Sequence, residues 1–471
     1  MIKQIVIYTR PWEVKFHIAL GKELNKQYPN AYLKFVTFFY DTHQYLVKNK
    51  LDSMLFTEEL KKIQQLKDIS HIDKELNQCG LNLNMLAAME RFLPKERKAA
   101  NKFIVEHTMV LDELITENTL SVSSMFDHFI YVLAGMLANI RNGFHFAFLT
   151  AGLPPNRVIA LKTPWETWNY NYPVEYAEKL LADSISKMEI PAEKRIAYMK
   201  NTKHIPFYKR FKSTVNDYIV AQKDYNRGNY FKLRPLQRIK ISISGRIKKL
   251  QSFENLMDIK TVSEFNNFKQ PFIYCPLHME PEATILMYSP WLRNQIELCR
   301  LISQALPVGV SLLVKENPKM INIRPSSYYN KLKEIPNVML VSPSIESKLL
   351  IDKSIGVISL AGNASFEAAI LNKPSMCFAK PPFADVVQYS NFAENFKLTH
   401  LNKIIQYWLE KPNFSIDLSK WHAWVNSTFE GNLIPQKSLH TNKNETIVSK
   451  ETLESSKKYI VNMVQQKNNG E

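Results

Sequence analysis

One stretch, residues 271–385, constrains the fold more than any other, because short apolar runs alternate there with helical patterns. The apolar runs cover 272–276, 308–314, 338–341, 354–360 and 375–378. Between them lie a helical pattern over 291–305 and a helix carrying Phe366-Glu367-Ala368-Ala369, stopped by Asn372-Lys373-Pro374. Strands alternating with helices predict a parallel sheet covered on both faces. Such sheets bind ligands beyond the carboxyl ends of their strands. Polar residues gather at those ends: His278, Glu282, Lys315, Asn317, Asn363 and Ser365.

The chain opens on a second β-α-β pattern, with strands at 5–8 and 32–39 around a helix over 14–25. Further strands are expected at 144–149 and 158–161, whereas 51–118 reads as helical. Residues 175–260 keep helical periodicity with little strand signal, and 446–464 offers a final helix. The expected division is an α/β domain over 1–185, a basic helical insertion over 186–265, a second α/β domain over 266–425 and a helical tail over 426–471.

Charge is unevenly spread. Lys and Arg number 61 against 44 Asp and Glu, a formal charge of +17. Residues 201–250 alone hold 13 Lys and Arg against 2 Asp, with Phe207, Tyr208, Phe211, Tyr218 and Phe231 among them. Basic residues beside aromatic ones suit an anionic membrane surface. A nucleic-acid partner competes for the same charge, but no recognisable binding motif accompanies it. Lys209, Arg210 and Lys212 are the candidate contacts to a membrane or an anionic acceptor. The four cysteines show no CxxC spacing, and two lie in or beside apolar runs, which predicts buried thiols in a reducing compartment. The N-terminus lacks a signal-peptide pattern, and no apolar run approaches the roughly 20 residues of a membrane span. The expectation is a cytoplasmic protein that meets the inner face of the membrane from the side.

Three loops carry the chemistry. Gly362-Asn363-Ala364-Ser365 joins a strand to a helix start, where free N–H groups and the helix dipole favour phosphate. Gly362 permits a positive φ and a close backbone approach there. Glu367, in the first turn, is placed to accept hydrogen bonds from ribose hydroxyls; a tight turn with a dipole-compensating Glu explains the same residues. Lys315-Glu316-Asn317-Pro318 offers a cation and an amide for phosphate or base, or else a solvated turn. Leu277-His278-Met279-Glu280-Pro281-Glu282 places an imidazole and two carboxylates in one loop. No further His or Asp at fixed spacing completes a metal site, so none is assigned.

Together these loops resemble a known pattern. Pro276-Leu277-His278-Met279-Glu280-Pro281-Glu282-Ala283 resembles the "PLHxxPEA" segment of bacterial capsule and surface-polysaccharide biosynthesis proteins. Lys315-Glu316-Asn317-Pro318 with Arg324 and Tyr328-Tyr329 is similar to their "KEHP…R…Y". Gly362-Asn363-Ala364-Ser365-Phe366-Glu367-Ala368 with Asn372-Lys373-Pro374 is similar to "GTxxxEA…GKP". Asn317 stands where the family has His, and Asn363 where it has Thr.

The resemblance, over about residues 270–380, implies a GT-B-type glycosyltransferase: two Rossmann-like domains facing across a cleft, here with the basic helical insertion. It includes transferases of Kdo and related acidic sugars. It implies donor contacts at Lys315, Asn317, Gly362, Asn363, Ser365 and Glu367, with His278 and Glu282 facing the reacting centre. Arg324 joins Lys315 and the helix start in stabilising the departing phosphate. The expected partners are a nucleotide sugar, CMP-linked donors included, and a glycan or glycolipid acceptor, with no separate cofactor and no nucleic acid. Inverting transfer without a metal needs a base for the acceptor hydroxyl. Glu13, in the first βα loop, is the choice, with Glu166, Asp41 and Glu282 as rivals. A sugar-nucleotide epimerase of similar fold and a basic nucleic-acid-binding protein are the alternatives.

Overall fold

A computed structural model describes residues 2–189, 253–433 and 449–469, apart from residues 281, 290, 291, 322 and 413. Lys209, Arg210, Lys212 and most of the expected insertion lie outside the described residues. The chain divides into two compact units; of the described residues, 2–173 and 425–469 belong to the first, and 174–189 and 253–424 to the second.

The first unit is built on seven strands: β1 (Gln4–Tyr8), β2 (Tyr32–Thr37), β3 (Ser53–Leu55), β4 (Thr119–Ser123), β5 (Phe144–Thr150), β6 (Arg157–Leu161) and β12 (Thr428–Glu430). Their order is β12-β6-β5-β4-β1-β2-β3. The run from β3 to β5 is parallel, whereas β6 and β12 add antiparallel edges. β4 is buried along its whole length, as a central strand covered on both faces must be. The helix Val14–Gln27 lies tight on the sheet, since a Cβ at Gly21 would stand 2.8 Å from Ile7 Cδ1. Its neighbour on that face is the helix Lys450–Asn469, whose Tyr459, Ile460 and Met463 join Ile5, Leu20 and Phe146 in one core. The segment expected as a separate tail thus supplies an edge strand and a covering helix to the first unit.

β3, β4 and β12 escape the sequence reading. β4 reads Thr-Leu-Ser-Val-Ser, and its hydroxyls look like loop chemistry. In the fold they are satisfied inside: His145 on β5 meets Ser121 Oγ at 2.9 Å through Nδ1 and Ser123 Oγ at 3.2 Å through Nε2. A buried polar group with a hydrogen-bond partner is tolerated in a core.

The second unit holds a five-stranded, wholly parallel sheet: β7 (Phe272–Pro276), β8 (Ser311–Lys315), β9 (Val338–Val341), β10 (Gly356–Ser359) and β11 (Ser375–Cys377). The order is β11-β10-β7-β8-β9. Written from its own first strand, that order is 3-2-1-4-5, and β3-β2-β1-β4-β5 of the first unit repeats it. Both units are therefore Rossmann-like α/β units, each reversing direction beside its first strand. Cys275, Cys299 and Cys377 are buried free thiols, and Cys79 is exposed. Among the described residues no helix is long and apolar enough to cross a membrane.

Candidate functional site

The reversal of strand order in the second unit lies between β7 and β10. The loops leaving β7, β8, β9 and β10 line a cavity of about 340 Å³ there. It collects His278 and Glu282 after β7, Lys315 and Asn317 at the end of β8, and Gly362, Asn363 and Glu367 after β10. Seven of the sequence-derived candidates thus meet in one place.

His278 is held from several sides. Its backbone N–H donates to Gln295 Oε1 at 2.6 Å, and Gln295 Nε2 donates back to its carbonyl at 3.2 Å. The Ala361 N–H donates to its ring Nε2 at 3.3 Å. A ring nitrogen that accepts has no proton, so the neutral ring carries its proton on Nδ1. Nδ1 lies 3.8 Å from Glu282 Oε2.

Of the two uses expected of Gly362, the positive φ is not made. Its φ is −91° and its ψ 147°, ordinary extended backbone. The glycine serves the expected close approach: a Cβ there would stand 3.2 Å from both Cε1 and Nε2 of His278. The helix that follows, Asn363–Ile370, starts without a side-chain cap. Gly362, Asn363 and Ala364 line the cavity, so the first-turn N–H groups border it.

Lys315 ends β8 as a buried residue, its Nζ donating to the Ile345 carbonyl and to Ser347 Oγ. Burial pulls its ammonium down to about 8, against the opposing pull of Glu367 and Glu346. Asn317 uses its side chain to cap the 3₁₀ turn Pro318–Met320, accepting from the Lys319 N–H at 3.0 Å.

Two candidates fall outside the cavity. Ser365 is fully buried; its hydroxyl meets Ser359 Oγ at 2.7 Å and donates to the Met376 carbonyl at 2.9 Å. It fastens the helix to β10 and β11 and touches no ligand space. Arg324 is buried too, forked onto Glu316, donating to the His278 carbonyl and 3.3 Å from Glu280. Its charge is committed to the protein, so it ties the loop after β8 to the loop after β7 rather than meeting a phosphate. Glu316 also accepts from the Tyr329 hydroxyl at 2.8 Å, and burial pushes its carboxyl up while Arg324 pulls it down.

The sequence reading passed over Gln295, Glu346, Ser347 and Lys348. The last three line the cavity from the loop after β9, whose Ser-Pro-Ser-Ile-Glu-Ser run follows the third apolar segment. The lining then holds four carboxylates, Glu282, Glu316, Glu346 and Glu367, against Lys315 and Lys348. Such a lining favours hydroxyl groups over a bare polyphosphate.

In the first unit the reversal lies between β1 and β4, and Glu13 sits there. One carboxylate oxygen accepts from the Trp12 indole at 3.1 Å and the other from the Ser124 hydroxyl. Burial pushes this carboxyl up, with Arg10 pulling it down. Arg10 itself is forked onto Asp127, with its Nη1 at 3.0 Å from Oδ2. Ser124 and Asp127 were missed because β4, which delivers them, was missed. Glu166 leaves β6 at the opposite edge, where β5 begins: Trp168, two residues on, donates to the His145 carbonyl. Asp41 lies in the first turn of the helix Tyr40–Lys48, after β2. Among the described residues no group of three His, Cys, Asp or Glu side chains is arranged to hold a metal.

No known sequence family matches the chain, and no curated protein matches it in sequence. Among solved structures it is similar to KpsC, a β-Kdo 2,7 transferase of Thermosulfurimonas dismutans, at 11% identity over 98% of this chain and 99% of that one, with a TM-score of 0.35. It is similar to a UDP-GlcNAc 2-epimerase of Neisseria meningitidis bound to UDP-GlcNAc, at 13% identity over 99% and 100% of the two chains, with a TM-score of 0.23. A glycosyltransferase of Rickettsia africae gives 10% identity over 90% and 94%, with a TM-score of 0.26. Scores this low carry no weight for function, which is read from the sites themselves.

Proposed function

We propose that the chain is a glycosyltransferase whose second unit holds a nucleotide-sugar donor. One observation supports this above the others: an uncapped helix start, a buried lysine and Glu367 share one cavity at the reversal of a Rossmann-like sheet. The helix start and Lys315 take phosphate, because both present positive charge or N–H donors to it. Glu367 takes the ribose hydroxyls. Glu282 and Glu346 of the lining accept from hydroxyls of the sugar.

The transfer is inverting and needs no metal ion. An acceptor oxygen forms a bond to the anomeric carbon, and the bond from that carbon to the donor phosphate breaks. The acceptor proton goes to Glu13, whose enclosed carboxyl has raised proton affinity. The charge left on the nucleotide phosphate is held by the helix start and Lys315. His278 keeps a proton at Nδ1 beside Glu282, within the same cavity.

The three-motif resemblance supports a surface-glycan acceptor, capsular or lipopolysaccharide-like, and a CMP-linked acidic sugar among the donors. The basic stretch around Lys209, Arg210 and Lys212 supports work at an anionic membrane surface from the cytoplasmic side.

The test is product analysis with CMP-, UDP- and GDP-sugars, each with and without a lipid-linked or soluble glycan acceptor. Acceptor-dependent glycoside formation is expected. An altered donor sugar formed with no acceptor present would make the chain an epimerase instead.

A further inference from the structure

The Glu13 carboxylate shares a loop with an arginine whose guanidinium does not bind it. Among the described residues its hydrogen bonds come from Trp12 and Ser124, both neutral donors. Arg10, three residues earlier, is spoken for. Its Nη1 and Nη2 both donate to Asp127, its Nε donates to the Tyr131 hydroxyl at 3.3 Å, and its guanidinium lies 4.8 Å from the Tyr131 ring centroid and 5.7 Å from that of Trp12. The pair is nearly sealed, with 8% and 12% of the two side chains exposed. Arg10 leaves β1 and Asp127 follows β4, so the pair spans the reversal of the sheet next to Glu13.

We propose that Asp127 is a positioning residue for Glu13: by holding Arg10 in a forked pair, it keeps the guanidinium away from the Glu13 carboxylate. The inference rests on the reading of Glu13 as a base only for its consequence in turnover. A carboxylate gripped by arginine is a poor base, since an opposite charge at contact lowers its proton affinity. The hydroxyl of Ser124 and the indole of Trp12 also lower the carboxyl, each by less than the guanidinium does, and they fix its orientation. The charged and titratable groups around Glu13 are Arg10 from its own loop, Asp127 from the loop after β4, and Tyr131 from the helix Phe129–Ile140. Arg91 and His128 act on Asp127 in turn. Burial raises the Glu13 carboxyl, Arg10 lowers it and Asp127 raises it again. The pair therefore acts on Glu13 as two opposed charges, of which Arg10 has the larger effect.

The test is a carboxyl-carbon NMR titration of the full chain, with Glu13→Gln identifying the Glu13 signal. In Asp127→Asn the freed guanidinium turns to Glu13, and the titration midpoint is expected to fall by about one pH unit or more. In the double variant Arg10→Gln with Asp127→Asn no guanidinium is left to turn to Glu13, and the midpoint is expected to stand at or above that of the parent. An unmoved midpoint in Asp127→Asn overturns the proposal. Should that variant fail to fold, the double variant decides it, because a midpoint below the parent's, with no guanidinium left to lower it, overturns the proposal. Turnover of Glu13→Gln reads the other question: a fully active variant removes Glu13 as the base and leaves the titration result standing.

Discussion

The Ala361 N–H points at His278 Nε2 across 3.3 Å, and this contact joins the two strands at which the second sheet reverses. It fixes the proton of the neutral ring on Nδ1, on the Glu282 side. Gly362→Ala tests how much this matters. Its backbone suits alanine, but the new Cβ would press on the imidazole at 3.2 Å. Overpacking of this kind costs about 1–3 kcal/mol. Nucleotide affinity is expected to fall by about tenfold, or about 1.4 kcal/mol, and the melting temperature to drop with the overpacking cost. Calorimetric titration checks it, and unchanged affinity would show that the ring has room to spare.

Lys315 gives the cavity a pH dependence. With its ammonium pulled down to about 8, the residue is charged below that pH and neutral above it. An anionic phosphate prefers the charged form. Nucleotide affinity is therefore expected to be level below pH 8 and to fall by up to about tenfold per pH unit above it. Lys315→Arg, which stays charged, should flatten the profile if the variant binds. A wild-type profile already level from pH 7 to 9.5 would remove Lys315 from the phosphate site.

Stability of the first unit should depend on acid. Burial holds His17 and His145 at about 3 and His107 at about 4, below the usual 6.5. The folded state leaves all three neutral, whereas the unfolded chain protonates them near pH 6.5. Their contribution is complete above that pH and is lost as pH falls toward 4 and 3. Each group costs up to about 1.4 kcal/mol per pH unit in that window. Glu13 works the other way, because a raised carboxyl takes up its proton more readily when folded. The net expectation is a marked loss of stability between pH 6.5 and 4.5 in urea denaturation. A constant midpoint over that range would contradict the neutral assignment.

The sequence shows the second unit better than the first, for a physical reason. A wholly parallel sheet buries both faces of its strands, and Phe272–Pro276 and Val338–Val341 are apolar enough to be read directly. β4 hides because Ser121 and Ser123 are satisfied by one histidine from the next strand, a contact with no signature in local sequence. β12 is three residues long and its partner β6 lies far back in the chain. The cavity residues were legible as loop chemistry at strand ends. The direction of each side chain was not: Ser365 and Arg324 sit in the right loops and face the protein interior. The group that Gly362 lets approach was hidden for the same cause, since it is a histidine 84 positions earlier.

The basic stretch over 201–250 makes a separate claim, about place. Each Lys or Arg near an anionic surface contributes about 1 kcal/mol, so a handful gives reversible docking. Binding to vesicles containing phosphatidylglycerol is expected, weakened by salt and by changing Lys209, Arg210 and Lys212 together to Gln. Vesicle binding that ignores salt and lipid charge would contradict it. Tight binding to RNA or DNA with no vesicle binding would favour a nucleic-acid partner.

The central claim is that the cavity of the second unit holds a nucleotide through Glu367 and the helix start at Gly362. The most direct measurement is thermal unfolding of the wild-type chain and of Glu367→Gln with CMP, UDP and GDP and their sugars. A ligand at one hundred times its dissociation constant adds about 2.7 kcal/mol to the folded state. One nucleotide class is expected to raise the wild-type melting temperature, and Glu367→Gln to lose about 1.5–3 kcal/mol of that binding with its own stability kept. No shift with any nucleotide, or a shift of equal size in Glu367→Gln, would contradict the account.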